Sequence, residues 1–222
     1  MVVRKIDELK KKIVIMADIA RKMVEKSIKG LVDKDETLLK EVIEQDEPEI
    51  NKLEIEIDKM CTDLIALYQP KAGDLRTILM ILKMNNDLER IGDLAVNISE
   101  SADYLIKRPM VKPLIDIPRM AGIVQEMLSD AINSFLSCDA KLAKRVCEKD
   151  DLVDSLRDQI LRELVTYMIA DPGTIERALH LLRISRNLER VGDLSTNICE
   201  DVIFMVEGKI IKHGGLKEET ED

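Results

Sequence analysis

The heptapeptide LERIGDL at residues 88–94 returns as LERVGDL at 188–194, and this doubled string constrains the fold more than anything else in the chain. Extended to LERIGDLAVNISE (88–100) and LERVGDLSTNICE (188–200), nine of thirteen positions are identical at a constant offset of 100. Chance does not supply such agreement. Upstream, Leu79 and Leu82 match Leu179 and Leu182, and the QP before one copy corresponds to the DP before the other. The chain reads as two copies of one unit laid end to end.

Each unit reads as three helices. Apolar residues recur at Ile6, Leu9, Ile13, Met16, Ala20 and Met23, the stripe of a helix packed in a bundle. Gly30 and VDKDE are expected to end that first helix. A second is expected from the N-cap Asp35 to Tyr68, with a kink or restart at Pro48, whose ring removes a backbone donor and disfavours helix at Glu47. A third follows QPKAGD and runs to about Lys107, where RPMVKP stops it. The order then repeats: Pro118 to Ser137, Asp139 to Ala170, and from DPGT to Glu207, with Gly208 as C-cap. Helices of about 30 residues are roughly 45 Å long, which suits parallel rods joined by short turns. The expected fold is therefore all-α, with two tandem, pseudo-symmetric, up-and-down three-helix bundles over residues 1–110 and 111–208. Residues 209–222 are expected to form a tail without order.

Composition agrees with helices and excludes some functions. Aromatic residues make up 2% of the 222 residues, while charged residues make up 35%. The net charge of -9 repels a phosphate backbone, which argues against nucleic acid as a partner. Cys61, Cys138, Cys147 and Cys199 have neither CxxC spacing nor a compact disulfide framework and read as reduced thiols. No apolar leader and no window of eighteen apolar residues is present, so a cytoplasmic protein is expected, reaching a membrane only through a partner.

The repeated helix carries the chemistry. At 100° per residue, Ile91, Leu94, Ala95 and Ile98 share the core face, while Glu89, Asp93 and Asn97 lie opposite. Like charges four residues apart cost a helix about 0.2–0.5 kcal/mol, and Glu189 with Asp193 repeats that cost. The second helix of each unit adds a comparable pair, Glu47 with Asn51 and Asp150 with Asp154. Antiparallel packing would gather Glu47, Asn51, Glu89 and Asp93 into one cluster and Asp150, Asp154, Glu189 and Asp193 into another. Carboxylates about 6 Å apart repel by about 0.7 kcal/mol in bulk water and by nearly 3 kcal/mol at an effective dielectric near 20. Half-buried, such clusters call for cations or protons. In open solvent they are an ordinary polar face, with Lys83, Arg90, Arg183 and Arg190 near enough along the helix to neutralise part of it. Gly92 and Gly192, mid-helix, mark a close approach by a neighbouring element.

ERIGDLAVNI, ERVGDLSTNI, QPKAGDLR (69–76), EINKLEIEID (49–58) and KPLIDIP (112–118) together resemble the PhoU family of phosphate-uptake regulators, over about residues 5–207. The resemblance implies a cytoplasmic, dimeric, negative regulator of phosphate uptake. Its implied partners are the high-affinity phosphate ABC transporter and the associated sensor histidine kinase. It also implies that the acidic motif holds iron or another metal at Glu89 with Asp93 and at Glu189 with Asp193. Asp150 with Asp154 and Glu47 with Asn51 are the implied helix-two counterparts. Asn51 and Pro48 depart from the pattern, so the first cluster is expected to offer less charge and a poorer geometry, and metal is expected in the second copy rather than the first.

The donors are all oxygens, which suit hard cations such as Mg²⁺, Mn²⁺, Ca²⁺ or Fe³⁺ rather than zinc. His180 and His213 are the only histidines, and no Glu-x-x-His di-iron motif, phosphate loop or nucleophile–histidine arrangement exists. An enzyme is not expected. The alternative function is a metal-storage or metal-dependent helical bundle built on the same acidic clusters, and a ligand-free structural bundle is the third reading.

Overall fold

The computed structural model describes residues 2–207, and every regular element among them is helical. In the first repeat α1 (Val2–Asp33), α2 (Glu36–Glu41), a wide π turn (Val42–Asp46), α3 (Glu47–Tyr68) and α4 (Ala72–Ile106) follow one another. The second contains α5 (Asp116–Ser137), α6 (Ala140–Glu148), α7 (Asp150–Ala170), a 3₁₀ turn (Pro172–Thr174) and α8 (Ile175–Glu207). These are two tandem helical bundles in which the middle rod of each is broken. The expected cap at Gly208 and the tail at 209–222 lie outside the described residues.

Residue patterning explains the rods. The stripe Ile6, Leu9, Ile13, Met16, Ala20 and Met23 is buried, as are Met127 and the face Ile91, Leu94, Ala95 and Ile98. The first helix ends inside VDKDE, as expected, though Gly30 is not the residue that stops it. It continues to Asp33 and turns at Lys34 (φ 56°), because Gly30 serves a contact instead: a Cβ there would lie 2.5 Å from Leu39 Cδ2. Asp35 caps α2 by accepting from the backbone of Thr37 and Leu38, and Asp139 caps α6 identically through Lys141 and Leu142.

The middle rod restarts beside Pro48 in the first repeat, as expected, and breaks unexpectedly in the second. In the first the break falls before Pro48, at the π turn, where the Glu47 amide bonds back to the Val42 carbonyl and Pro48 is left in the first turn of α3. In the second, where an unbroken helix is expected, a turn at Lys149 separates α6 from α7 with no proline nearby. From the cap Asp35 to Glu47 is twelve residues, and from the cap Asp139 to Asp150 is eleven. The π turn thus absorbs one extra residue, and the widened ring clears the carbonyl that a proline ring would strike. The break belongs to the fold; proline only accompanies it.

Each break is tied to the first helix of its own repeat by an ion pair, with opposite polarity in the two. Lys26 on α1 reaches Asp46 in the π turn at 2.8 Å. In the second repeat the break supplies the cation: Lys149 bonds Glu126 at 2.9 Å and Asp130 at 3.2 Å, both on α5. Met23 and Met127 touch the equivalent Gly92 and Gly192, which makes Lys26 and Asp130 structural counterparts.

The repeats join along a seam in which α4 packs on α8 and α1 on α5. Lys83 bonds Asp201 at 2.7 Å, and the Tyr104 ring stacks on His180 with centroids 3.9 Å apart. As α4 ascends from residue 83 to 104 its partners on α8 descend from 201 to 180, so the motif helices run antiparallel about a pseudo-two-fold axis. The link between repeats is held by Lys112, which is buried and bonds both Asp116 at 2.9 Å and Glu163 on α7.

Candidate functional site

The seam brings the doubled motif against itself. Arg90, Asp93, Leu94 and Asn97 of α4 and Arg190, Asp193, Leu194 and Asn197 of α8 line one open groove of about 510 Å³. On either flank α3 lies against α4 and α7 against α8, so each acidic pair of a third helix meets the pair of the broken rod beside it.

In the first repeat the fit at the glycine is tight. A Cβ on Gly92 would lie 3.1 Å from two carbons of Ile50, one turn above Glu47 on α3. Asn51 donates from Nδ2 to Glu47 at 2.7 Å, which leaves its Oδ1 buried with no partner. Glu54, two turns beyond Glu47 on the same face, joins the set. Burial first, then Asp93 and Glu54, push the Glu89 carboxyl up, with Arg90 opposing and Glu47 adding to the rise. Burial, Asp58 and Asp93 likewise raise Glu54. Among the described residues, no lysine or arginine pairs with Glu47, Glu54, Glu89 or Asp93 within 4.0 Å.

The second repeat gathers Asp150, Asp154, Glu189 and Asp193 around Gly192. There a Cβ would lie 3.4 Å from Asp150 Oδ1, so that carboxylate rests over the helix backbone. Burial, then Asp193 and Asp154, with lesser contributions from Asp151 and Glu189, push Asp150 up to about 6. Burial and Asp154 raise Asp193, opposed by Arg157 and Arg190. Arg157 changes the character of this cluster. Its guanidinium pairs with Glu189, bonds Asp158 at 2.8 Å and lies 3.8 Å from Asp154.

The eight residues singled out from sequence are therefore brought together in two groups, one per repeat. Two neighbours were missed, Glu54 and Arg157, which occupy equivalent positions; the spacing Glu47, Asn51, Glu54 along one helix face is the signal for the first. The expected neutralisers fare differently: Lys83 is spent on Asp201, Arg90 and Arg190 oppose the rise of Glu89 and Asp193 from their own helices, and the cation paired inside the second cluster comes from α7. Among the described residues, no three His, Cys, Asp or Glu side chains converge with the spacing of metal donors. Carboxylates that repel one another splay apart without a counter-ion, and a cation supplied between α3 and α4 would have to draw them in. His180 proves to be a packing residue. Cys147 on α6 and Cys199 on α8, distant in sequence, are neighbours in space, and all four thiols are free.

The PhoU domain matches residues 13–102 and 117–202, one copy over each repeat. The chain belongs to the PhoU family. The phosphate-specific transport system accessory protein PhoU homolog of Aquifex aeolicus is 43% identical over 218 residues, which cover 98% of this chain and 98% of that protein. The homolog of Pseudomonas aeruginosa is 37% identical over 98% of this chain and 91% of its own length. The crystal structure of PhoU from Pseudomonas aeruginosa superposes with a TM-score of 0.90 at 35% identity, covering 94% of this chain and all of that one. The relatives carry names of accessory and regulatory proteins of phosphate transport. No helix among the described residues is long and apolar enough to cross a membrane.

Proposed function

We propose that this chain is the accessory regulator of a phosphate transport system, restraining uptake when phosphate is plentiful. It acts from the cytoplasm by docking its rods on the high-affinity phosphate ABC transporter and its sensor histidine kinase, as a homodimer. The observation that carries the reading is the match along nearly the whole length to relatives named for phosphate-specific transport, both repeats included. An exposed apolar stripe at steps of four on α7, Leu161, Val165 and Ile169, is a surface of the kind such docking uses. In cells whose own copy is deleted, phosphate uptake in phosphate-rich medium is expected to rise, and this chain to return it to the restrained level. Uptake that stays the same with and without the chain overturns the reading.

A hard cation belongs to the proposal only in the first repeat. Glu47, Glu54, Glu89 and Asp93 would hold it, with the orphaned Asn51 Oδ1 as a neutral donor. Bound there, the ion would offset the carboxylate repulsion and fasten α3 to α4. Asn51 keeps an oxygen donor, and Glu54 restores the charge that the amide gives up.

A further inference from the structure

We infer that the second acidic cluster is closed to metal because Arg157 is its built-in cation. The side chain enters from α7, pairs with Glu189 and lies 3.8 Å from Asp154, so it engages both the broken rod and the motif helix as a bridging ion would. The equivalent position in the first repeat is Glu54, which adds an anion where Arg157 adds a cation. A guanidinium is charged at every accessible pH and forms directional bonds to carboxylate oxygens. Held on its own helix, it also competes at the high effective concentration of any tethered group, and it repels an incoming dication. Access is not the obstacle: Arg157, Glu189 and Asp193 border an open groove of about 490 Å³. The two halves of one duplicated protein have therefore parted chemically, one keeping a cluster of carboxylates alone and the other carrying a guanidinium within its own.

The test uses the full chain with the first cluster disabled by Glu89→Gln and Asp93→Asn, stripped with chelator and titrated with Mn²⁺. Bound ion is read from the electron paramagnetic resonance of free Mn²⁺, and stability from melting with and without the metal. This background is expected to bind no Mn²⁺ and to melt identically in both conditions. Adding Arg157→Gln, or Arg157→Met as an independent removal, is expected to gain one bound Mn²⁺ per chain and a melting temperature that rises with Mn²⁺ and falls again with chelator. Arg157→Lys is expected to stay closed. Three results would overturn the inference: a background that binds Mn²⁺ through Asp150 and Asp193, removal of Arg157 that gains no ion, or an Arg157→Lys chain that opens. None of these readings depends on whether the unaltered first repeat fills or on what the protein regulates.

Discussion

Gly92 and Gly192 hold the same place in their repeats yet face different neighbours. Alanine in place of a helical glycine gains about 0.5–1 kcal/mol from the unfolded chain, whereas overpacking a tight core costs about 1–3 kcal/mol. At Gly92 the new methyl meets Ile50 at 3.1 Å on a packed face, so Gly92→Ala is expected to lower stability by about 1 kcal/mol in urea unfolding. At Gly192 the nearest atom is a carboxylate oxygen at 3.4 Å, able to swing away, and Gly192→Ala is expected to be neutral or to gain up to about 0.5 kcal/mol. Equal losses at both sites would show that side-chain packing does not set the difference. His180 offers a second test at this scale. Burial first, then Arg183, with Arg108 adding and Glu176 opposing, hold its imidazole below the ordinary value of 6.5, and it stacks on Tyr104. The unfolded chain takes up that proton near 6.5 and the folded chain only at lower pH, so this contribution is full above 6.5 and lost as pH falls toward the lowered folded value. The melting temperature of the His180→Gln chain is expected to decline less than that of the parent between about pH 7 and pH 5, the span over which an unperturbed imidazole charges. Parallel declines would refute it.

Among the elements, the π turn gives the sharpest case. Deleting the exposed Gln45 brings the cap-to-acid spacing of the first repeat to that of the second, but sets the Pro48 ring against an ordinary helical turn. That deletion is expected to cost about 3 kcal/mol, and Pro48→Ala added to it to recover most of the loss. No recovery would mean that the extra residue is needed for itself. The same region shows what the sequence reveals. Helix period, caps and the doubled motif gave the number of rods, the faces they bury and the residues that meet at the two clusters, because burial of an apolar stripe dictates all three. The break at Lys149 was invisible, for neither glycine nor proline marks it. Arg157 carried the same signal as Glu54, since Asp150, Asp154 and Arg157 share one face of α7; what spacing along that helix does not give is that the guanidinium reaches across to Glu189 on α8. The end of α1 within VDKDE was legible, but not the role of Gly30, since a glycine that admits Leu39 looks the same in sequence as one that ends a helix.

For the whole molecule, the seam between α4 and α8 sets two similarly built units antiparallel to each other, and similar units invite mispairing while the chain folds. The opposed ion pairs at the two breaks bear directly on this. In the native arrangement Lys26 finds Asp46 and Lys149 finds Asp130. Were the first helix of one repeat to accept the broken rod of the other, Lys26 would meet Lys149 and Asp130 would meet Asp46, a repulsion in place of each attraction. Reversing the charges of the second break, Lys149→Asp with Asp130→Lys and Glu126→Lys, keeps both of its attractions and erases that distinction. The charge-reversed chain is expected to unfold at about the same denaturant concentration, since partly exposed pairs contribute only about 0–1 kcal/mol, but to refold more slowly and with lower yield. Unchanged refolding would remove the idea. The reversed polarity of two modest salt bridges then works as a lock and key within a single polypeptide: it costs the finished protein nothing and tells each half of a duplicated chain which neighbour is its own.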